Sequence, residues 1–374
     1  MYKEISMFKN RCSIVSIIVF VFFLSGALQA HAQTSSWHDP LLETASVING
    51  RAWEGEIGSS YARLPERFQQ RIPLKVWNLS RNAAGLSVKF STNTRNLQIK
   101  YTIADAPQLP NMSKLNQAGI DLYATNASGH THWIGNHMQW NWGDTITFTF
   151  RNLEVKNGVY ELILPPYSTV TSLKVGCDEG ASFRFIPSRR DKPVVIYGSS
   201  IVQGASPSRP GLIWTNILKR LTGYNIVNLG FSGSCLMEPA LFDAICEIDA
   251  KCFIIDPIPN SYRLTDKEIT ERIRYGILCI RKKSKAPIIV SESYPQADIV
   301  FNPHAEERMR TANKALQAAV NQLQKEGVSG LYYQFSKDIL FTEDAMIEAS
   351  HPNDIGCVAY AKAYEKMLKT IFRK

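Results

Sequence analysis

The feature that most constrains this chain is a change of hydrophobic period near residue 190. Before it, apolar residues recur every second position. Leu86-Ser-Val-Lys-Phe90, Leu97-Gln-Ile-Lys-Tyr101, Thr145-Ile-Thr-Phe-Thr-Phe150 and Ser182-Phe-Arg-Phe185 all alternate, and shorter runs follow at Ile120–Ala124, Tyr160–Leu164 and Ser172–Val175. Gly, Pro, Asn and Asp clusters separate them. Many short alternating strands with no helical stretch predict two packed antiparallel sheets, a β-sandwich or jelly roll. After residue 190 the pattern reverses. Pro193-Val-Val-Ile-Tyr197, Ile226–Leu229, Cys252-Phe-Ile-Ile255, Pro287-Ile-Ile-Val290 and Leu331-Tyr-Tyr333 are continuous apolar runs, as in parallel strands buried on both faces. Helical stretches fall between and after them, at Leu212–Leu221, Thr265–Cys279, Ala305–Glu326 and Asp354–Ile371. Five strands alternating with helices predict an α/β unit with a parallel sheet. The joint is the charged segment Pro187-Ser-Arg-Arg-Asp-Lys192.

The first residues lie outside this pattern. Lys3, Lys9 and Arg11 precede an apolar run from Ile14 to Leu28, and Ala30-His31-Ala32 supplies small residues for cleavage. This is the layout of a secretory signal peptide, with an apolar core shorter than the ~20 residues a spanning helix needs. The expected organisation is a signal peptide at 1–32, a β-sandwich at 33–187 and an α/β unit at 188–374. The mature protein is expected to be exported, periplasmic or extracellular, and without an integral membrane span. Loss of Lys3, Lys9, Arg11 and Glu4 lowers the formal charge from +9 to +7. The remaining positive charge is dispersed, apart from Arg281-Lys-Lys283 at a helix end and Arg189-Arg190 in the joint, so it gives no reason to expect a nucleic-acid partner. Cys177, Cys235, Cys246, Cys252, Cys279 and Cys357 show no metal-binding spacing and read as small buried thiols rather than a disulfide framework. His132 and His137 fit no zinc pattern either, so no metal or cofactor is expected.

In an open parallel sheet, reactive groups gather at the carboxyl ends of the strands. The first strand ends in Tyr197-Gly-Ser-Ser200, a glycine-flanked turn that can raise a serine hydroxyl above the sheet. The second ends in Asn228-Leu-Gly-Phe-Ser-Gly233, whose glycines leave backbone N–H groups uncovered. The third ends in Asp256-Pro-Ile-Pro-Asn260, where prolines fix the direction of a side-chain amide. The last is followed by Glu348-Ala-Ser-His351-Pro-Asn-Asp354, a histidine with a carboxylate three residues ahead. A serine needs a base to take its proton, and a histidine needs an acceptor to hold its other nitrogen.

Ser, Gly, Asn and His, each after a strand and in that order, resemble the SGNH hydrolases, also called GDSL esterases/lipases. The HPND context of His351 is the most specific match. Upstream, Gly119-Ile-Asp-Leu-Tyr123 is similar to the GxDLY signature of the β-domain that precedes one bacterial branch of that superfamily. The resemblance covers nearly the whole mature chain. It implies a flavodoxin-like three-layer hydrolase domain behind a jelly roll. It also implies Ser200 as nucleophile and His351 as general base, with Ser200, Gly233 and Asn260 forming the oxyanion hole. Two positions depart from the family pattern. Ser199 stands where an aspartate usually precedes the nucleophile, and Glu348 stands where the third triad member is usually Asp. Glu348 is expected to orient His351; the other arrangement is a Ser–His dyad held by a main-chain carbonyl.

The expected function is hydrolysis of acyl esters, O-acetyl groups above all, on a small-molecule or glycan substrate. Trp140 and Trp142 are candidate sugar-stacking residues, although a sandwich core also uses tryptophan. The alternatives are a short-chain lipase or arylesterase, and a non-catalytic glycan-binding protein with a decayed hydrolase domain.

Overall fold

The computed structural model describes residues 35–105, 108–137, 145–154, 158–294, 301–302, 304 and 306–372. The expected signal segment, Trp140 and Trp142 lie outside the described residues. No helix among the described residues is long and apolar enough to cross a membrane.

The N-terminal region runs β1 (Ser35–His38), β2 (Ile48–Asn49), α1 (Glu54–Ile57), α2 (Leu74–Ser80), β3 (Ser87–Thr92), β4 (Leu97–Ile103), α3 (Lys114–Ala118), β5 (Asp121–Thr125), β6 (Thr131–Asn136), β7 (Thr145–Phe150), β8 (Val159–Ile163), β9 (Val170–Asp178) and β10 (Phe183–Phe185). The strands form two sheets, in the orders β1-β9-β4-β7 and β10-β3-β8-β5-β6, with β2 added beside β3. Neighbours pair antiparallel. The alternation read from the sequence is the inward face of each sheet. Val88, Phe90, Leu122 and Leu162 from one meet Ile99, Tyr101, Phe148 and Val175 from the other. Each such side chain contributes about 1.5–3 kcal/mol on full burial.

The expectation of no helix in this half is corrected by α1, α2 and α3. Helix α2 holds only two turns of periodic sequence, too few to stand out. Its apolar face looks away from the sandwich: Val76 and Trp77 pack with Phe231, Leu241 and other residues of the second half, in a cluster that also takes in Trp53, Leu64 and Phe68. These two tryptophans are therefore core residues of the junction.

The second half runs β11 (Val194–Gly198), α4 (Ser200–Gln203), α5 (Trp214–Thr222), β12 (Ile226–Gly230), α6 (Pro239–Ile245), β13 (Cys252–Asp256), α7 (Ile258–Ser261), α8 (Asp266–Lys283), β14 (Ile288–Ser291), α9 (Glu307–Lys325), β15 (Leu331–Gln334) and α10 (Asp354–Phe372). Its five strands pair parallel in the order β12-β11-β13-β14-β15. Both faces are buried, as the continuous apolar runs require. Val195, Tyr197, Leu229 and Ile255 face α6, α8 and α9, while Val194, Ile196 and Ile254 face α5 and α10. The strand order reverses direction at β11, so the loops after β11, β12 and β13 open onto one crevice at the switch point.

Candidate active site

Ser200 opens α4 immediately after β11. The turn is tight because β12 runs beneath it: a Cβ on Gly230 would lie 2.0 Å from the Gln203 backbone nitrogen, so only glycine fits. Ser199 caps the helix, its hydroxyl accepting from the Ile201 N–H at 3.3 Å. Trp214 of α5 is fully buried, and its indole N–H donates to the Ile201 carbonyl at 3.0 Å, fixing the helix from the other side.

His351 arrives from the far end of the chain, and its setting explains the HPND string. The Ile347 N–H donates to the His351 carbonyl at 2.9 Å, closing a loop that lays Glu348 against the imidazole. Pro352 bridges back to Met346. Asn353 Oδ1 accepts from the N–H groups of Ile355 and Gly356, capping α10. Asp354 accepts from the Ser208 N–H at 2.7 Å, tying the histidine loop to the segment after α4.

Three sequence-predicted residues meet in one relay. Ser200 Oγ lies 2.8 Å from His351 Nε2, and His351 Nδ1 is hydrogen-bonded to Glu348 Oε1. With Nδ1–H donating to the carboxylate, Nε2 is left to accept from the serine hydroxyl. Burial pushes the Glu348 carboxyl up, but hydrogen bonds from His351 and the Ser350 N–H outweigh it and hold the group below its usual value. Glu348 is thus an anion at neutral pH, as its expected role requires.

Gly233 and Asn260 line the same cleft of about 220 Å³ as Ser200 and His351. Gly233 takes a left-handed φ of 62°. Asn260 Oδ1 accepts from the Cys235 N–H at 3.1 Å, which leaves its Nδ2 donor for the cleft, and Ser261 Oγ donates to the Cys235 carbonyl at 2.7 Å. The glycine loop and the asparagine helix are therefore clamped to each other through one residue, a preorganisation that suits groups meant to meet developing negative charge.

The N-terminal region completes the site with residues that carried no motif. Asn111 Nδ2 lies 3.5 Å from Glu348 Oε1 and 3.4 Å from His351 Nδ1. Arg63 is buried under the Gly230–Gly233 loop and donates to the carbonyls of Gly230 (2.8 Å), Asn228 (3.2 Å), Asn82 (3.0 Å) and Leu79 (2.6 Å). The GxDLY string grips the segment after α4. Asp121 accepts from Arg209 Nη1 at 2.8 Å and from the Gly211 N–H at 2.6 Å, and Tyr123 OH bonds Arg209 at 2.8 Å. Nothing local in the sequence marks Asn111 or Arg63, because their partners lie on distant segments of the chain.

Of the other candidates, His137 stacks on Phe148 and His132 lies edge-on to His130. Among the described residues no group of three or more His, Cys, Asp and Glu could hold a metal ion.

Two variants test the local electrostatics. Glu348→Gln keeps the shape but offers His351 a neutral partner, so kcat should fall about 10³-fold with KM little changed. Asn111→Ala should cost threefold to tenfold in the same assay. Asp256, at the end of β13, has no partner for either carboxyl oxygen among the described residues, and burial pushes it up from 3.8 to about 7. Below the lower value both folded and unfolded chains hold that proton. As pH rises towards 7 only the unfolded chain releases it, so stability falls by about 4 kcal/mol and then levels off. Thermal melts across that range should show a steeper decline for the wild type than for Asp256→Asn.

Comparison with known proteins agrees with this construction. Residues 191–369 match the GDSL-like Lipase/Acylhydrolase family, and residues 35–183 match the GxDLY family, described as the N-terminus of SGNH hydrolase-type esterases. A crystal structure of a protein assigned as a GDSL-like lipase from Bacteroides ovatus is 32% identical, covers 91% of this chain and 98% of its own, and superposes with a TM-score of 0.83. A salicylyl-acyltransferase from a tetracycline biosynthetic pathway has the same fold at 15% identity, covering 90% of this chain and 97% of its own, with a TM-score of 0.73. A family two carbohydrate esterase from Clostridium thermocellum, solved with cellohexaose, is 11% identical, covers 76% of this chain and 91% of its own, and gives a TM-score of 0.50. No curated protein matches the chain significantly.

Proposed function

Since the chain belongs to the GDSL-like lipase/acylhydrolase family and carries its GxDLY type of N-terminal region, we propose that it is an exported serine esterase removing short acyl groups, chiefly O-acetyl, from carbohydrate. The observation that carries the reading is the Ser200–His351–Glu348 relay, whose Ser200 and His351 line one cleft with Gly233 and Asn260. Ser200 Oγ attacks the ester carbonyl while His351 Nε2 takes its proton, and Glu348 holds the imidazolium that forms. Backbone N–H groups of Ser200 and Gly233, with the Asn260 amide, receive the oxyanion. His351 then protonates the leaving alcohol. Water, activated by the same histidine, releases the acid and frees the serine.

The lining supports a short acyl group and a polar alcohol. Among the described residues, Ser232, Ser293 and Ser350 supply hydroxyls, Tyr262 and Tyr294 supply aromatic surface, and the aliphatic lining is Ile201, Pro259 and Met309. A long acyl chain needs an extended apolar channel, whereas sugar rings suit mixed aromatic and hydroxyl walls. Export rests on the layout of residues 1–32. Purified protein should release acetate from O-acetylated oligosaccharides and p-nitrophenol from p-nitrophenyl acetate. Release from the model ester alone would keep the esterase and remove the carbohydrate; release from neither would remove both.

A further inference from the structure

Two thiols far from the relay meet between α6 and α8. Gly276 brings these helices together: a Cβ there would sit 2.4 Å from the Phe242 ring, so no larger residue permits the approach. Cys246 follows Phe242 by four residues and Cys279 follows Gly276 by three, which turns both towards the contact. Their sulfurs are 2.9 Å apart, so less than an ångström of travel reaches the ~2.05 Å of a disulfide. Cys246 is buried and Cys279 is partly exposed, whereas Cys177, Cys235, Cys252 and Cys357 are all buried.

We propose that Cys246 and Cys279 form a disulfide when the protein meets a disulfide oxidant, as the oxidising surroundings of an exported protein would supply. The Cys279 thiolate attacks one sulfur of the oxidant, a small-molecule disulfide or the active-site disulfide of a thiol oxidoreductase, and expels a thiolate. The Cys246 thiolate then attacks the Cys279 sulfur of the mixed disulfide and expels the second. Two protein thiols are oxidised, the oxidant's disulfide is reduced to two thiols, and the two cysteine protons pass to the leaving thiolates. Burial, then Cys246 and Asp243, push the Cys279 thiol up to about 12. Exchange on the folded protein therefore starts slowly near neutrality and quickens with pH.

The bond has a place in the architecture. Helix α6 continues from the Gly233 loop and α8 from the Asn260 helix, so the link ties together the two arms that present the oxyanion groups. It closes a loop of about thirty residues, long enough to constrain the unfolded chain appreciably.

The test is independent of any substrate. The full-length purified protein is reduced, freed of reductant, and incubated with oxidised glutathione at mildly alkaline pH. Remaining thiols are then alkylated and the unreduced protein is digested for mass spectrometry. The expected product is one crosslinked peptide pair joining Cys246 to Cys279, about 2 Da lighter than the two reduced peptides. The melting temperature should rise by roughly 5 °C or more, and dithiothreitol should reverse the change. Cys279→Ser, outside the catalytic cleft, should keep its esterase activity and show neither effect; Cys246→Ala serves as the second control. Recovery of both cysteines alkylated, a stable glutathione adduct on Cys279, or a link between another pair would overturn the proposal.

Discussion

Ser200→Ala should hydrolyse p-nitrophenyl acetate at least ~10⁴-fold more slowly than the wild type in kcat/KM. The relay leaves no second oxygen nucleophile in register with His351: the 2.8 Å contact to Nε2 is made by Ser200 Oγ alone among the described hydroxyls. His351→Ala should lose a comparable factor, because a serine hydroxyl without a base is a weak nucleophile. The double variant should be little worse than either single one, since the two residues act as a unit. Multiplying losses would mean that serine and histidine serve separate steps. Circular dichroism and melting curves should stay close to wild type for Ser200→Ala, because among the described residues its hydroxyl bonds His351 alone.

The second large effect is on stability and comes from Arg63. Its guanidinium is buried and satisfies four main-chain carbonyls, two of them on β12. Burial pushes it down to about 9, so it remains a cation at neutral pH. Arg63→Met preserves much of the volume but strips those carbonyls of donors, which should cost about 3–5 kcal/mol in chemical denaturation. Activity should fall as well, because the Gly230–Gly233 loop loses its support. A loss below about 1 kcal/mol would show that water or neighbouring groups replace the arginine and that the two halves are less interdependent than these bonds imply.

These effects also mark what a single sequence displays. The five-stranded sheet was legible because each strand is buried on both faces and writes a continuous apolar run. The sandwich was legible because each of its strands is buried on one face and writes an alternation. Ser200, Gly233, Asn260 and His351 were legible because each follows a strand of an open parallel sheet and their order along the chain resembles the SGNH hydrolases; position after a strand alone would not have singled them out. Helix α2 escaped because its apolar face, Val76 and Trp77, is satisfied across the junction and is only two turns long. Asn111 escaped because a lone asparagine in a loop has no periodicity to break. Asp121 and Tyr123 were noticed as a string, but their work, holding Arg209 and Gly211 in the segment after α4, depends on tertiary contacts that spacing does not encode. The same reason hid the meeting of Cys246 and Cys279.

The most direct measurement is reaction of the purified protein with a fluorophosphonate, followed by intact-mass and peptide mass spectrometry. The relay predicts a single covalent adduct on Ser200, formed in step with loss of esterase activity and absent from Ser200→Ala and His351→Ala. An enzyme that keeps its activity after full modification of Ser200, or that loses activity through an adduct elsewhere, would contradict the assignment of Ser200 as the nucleophile.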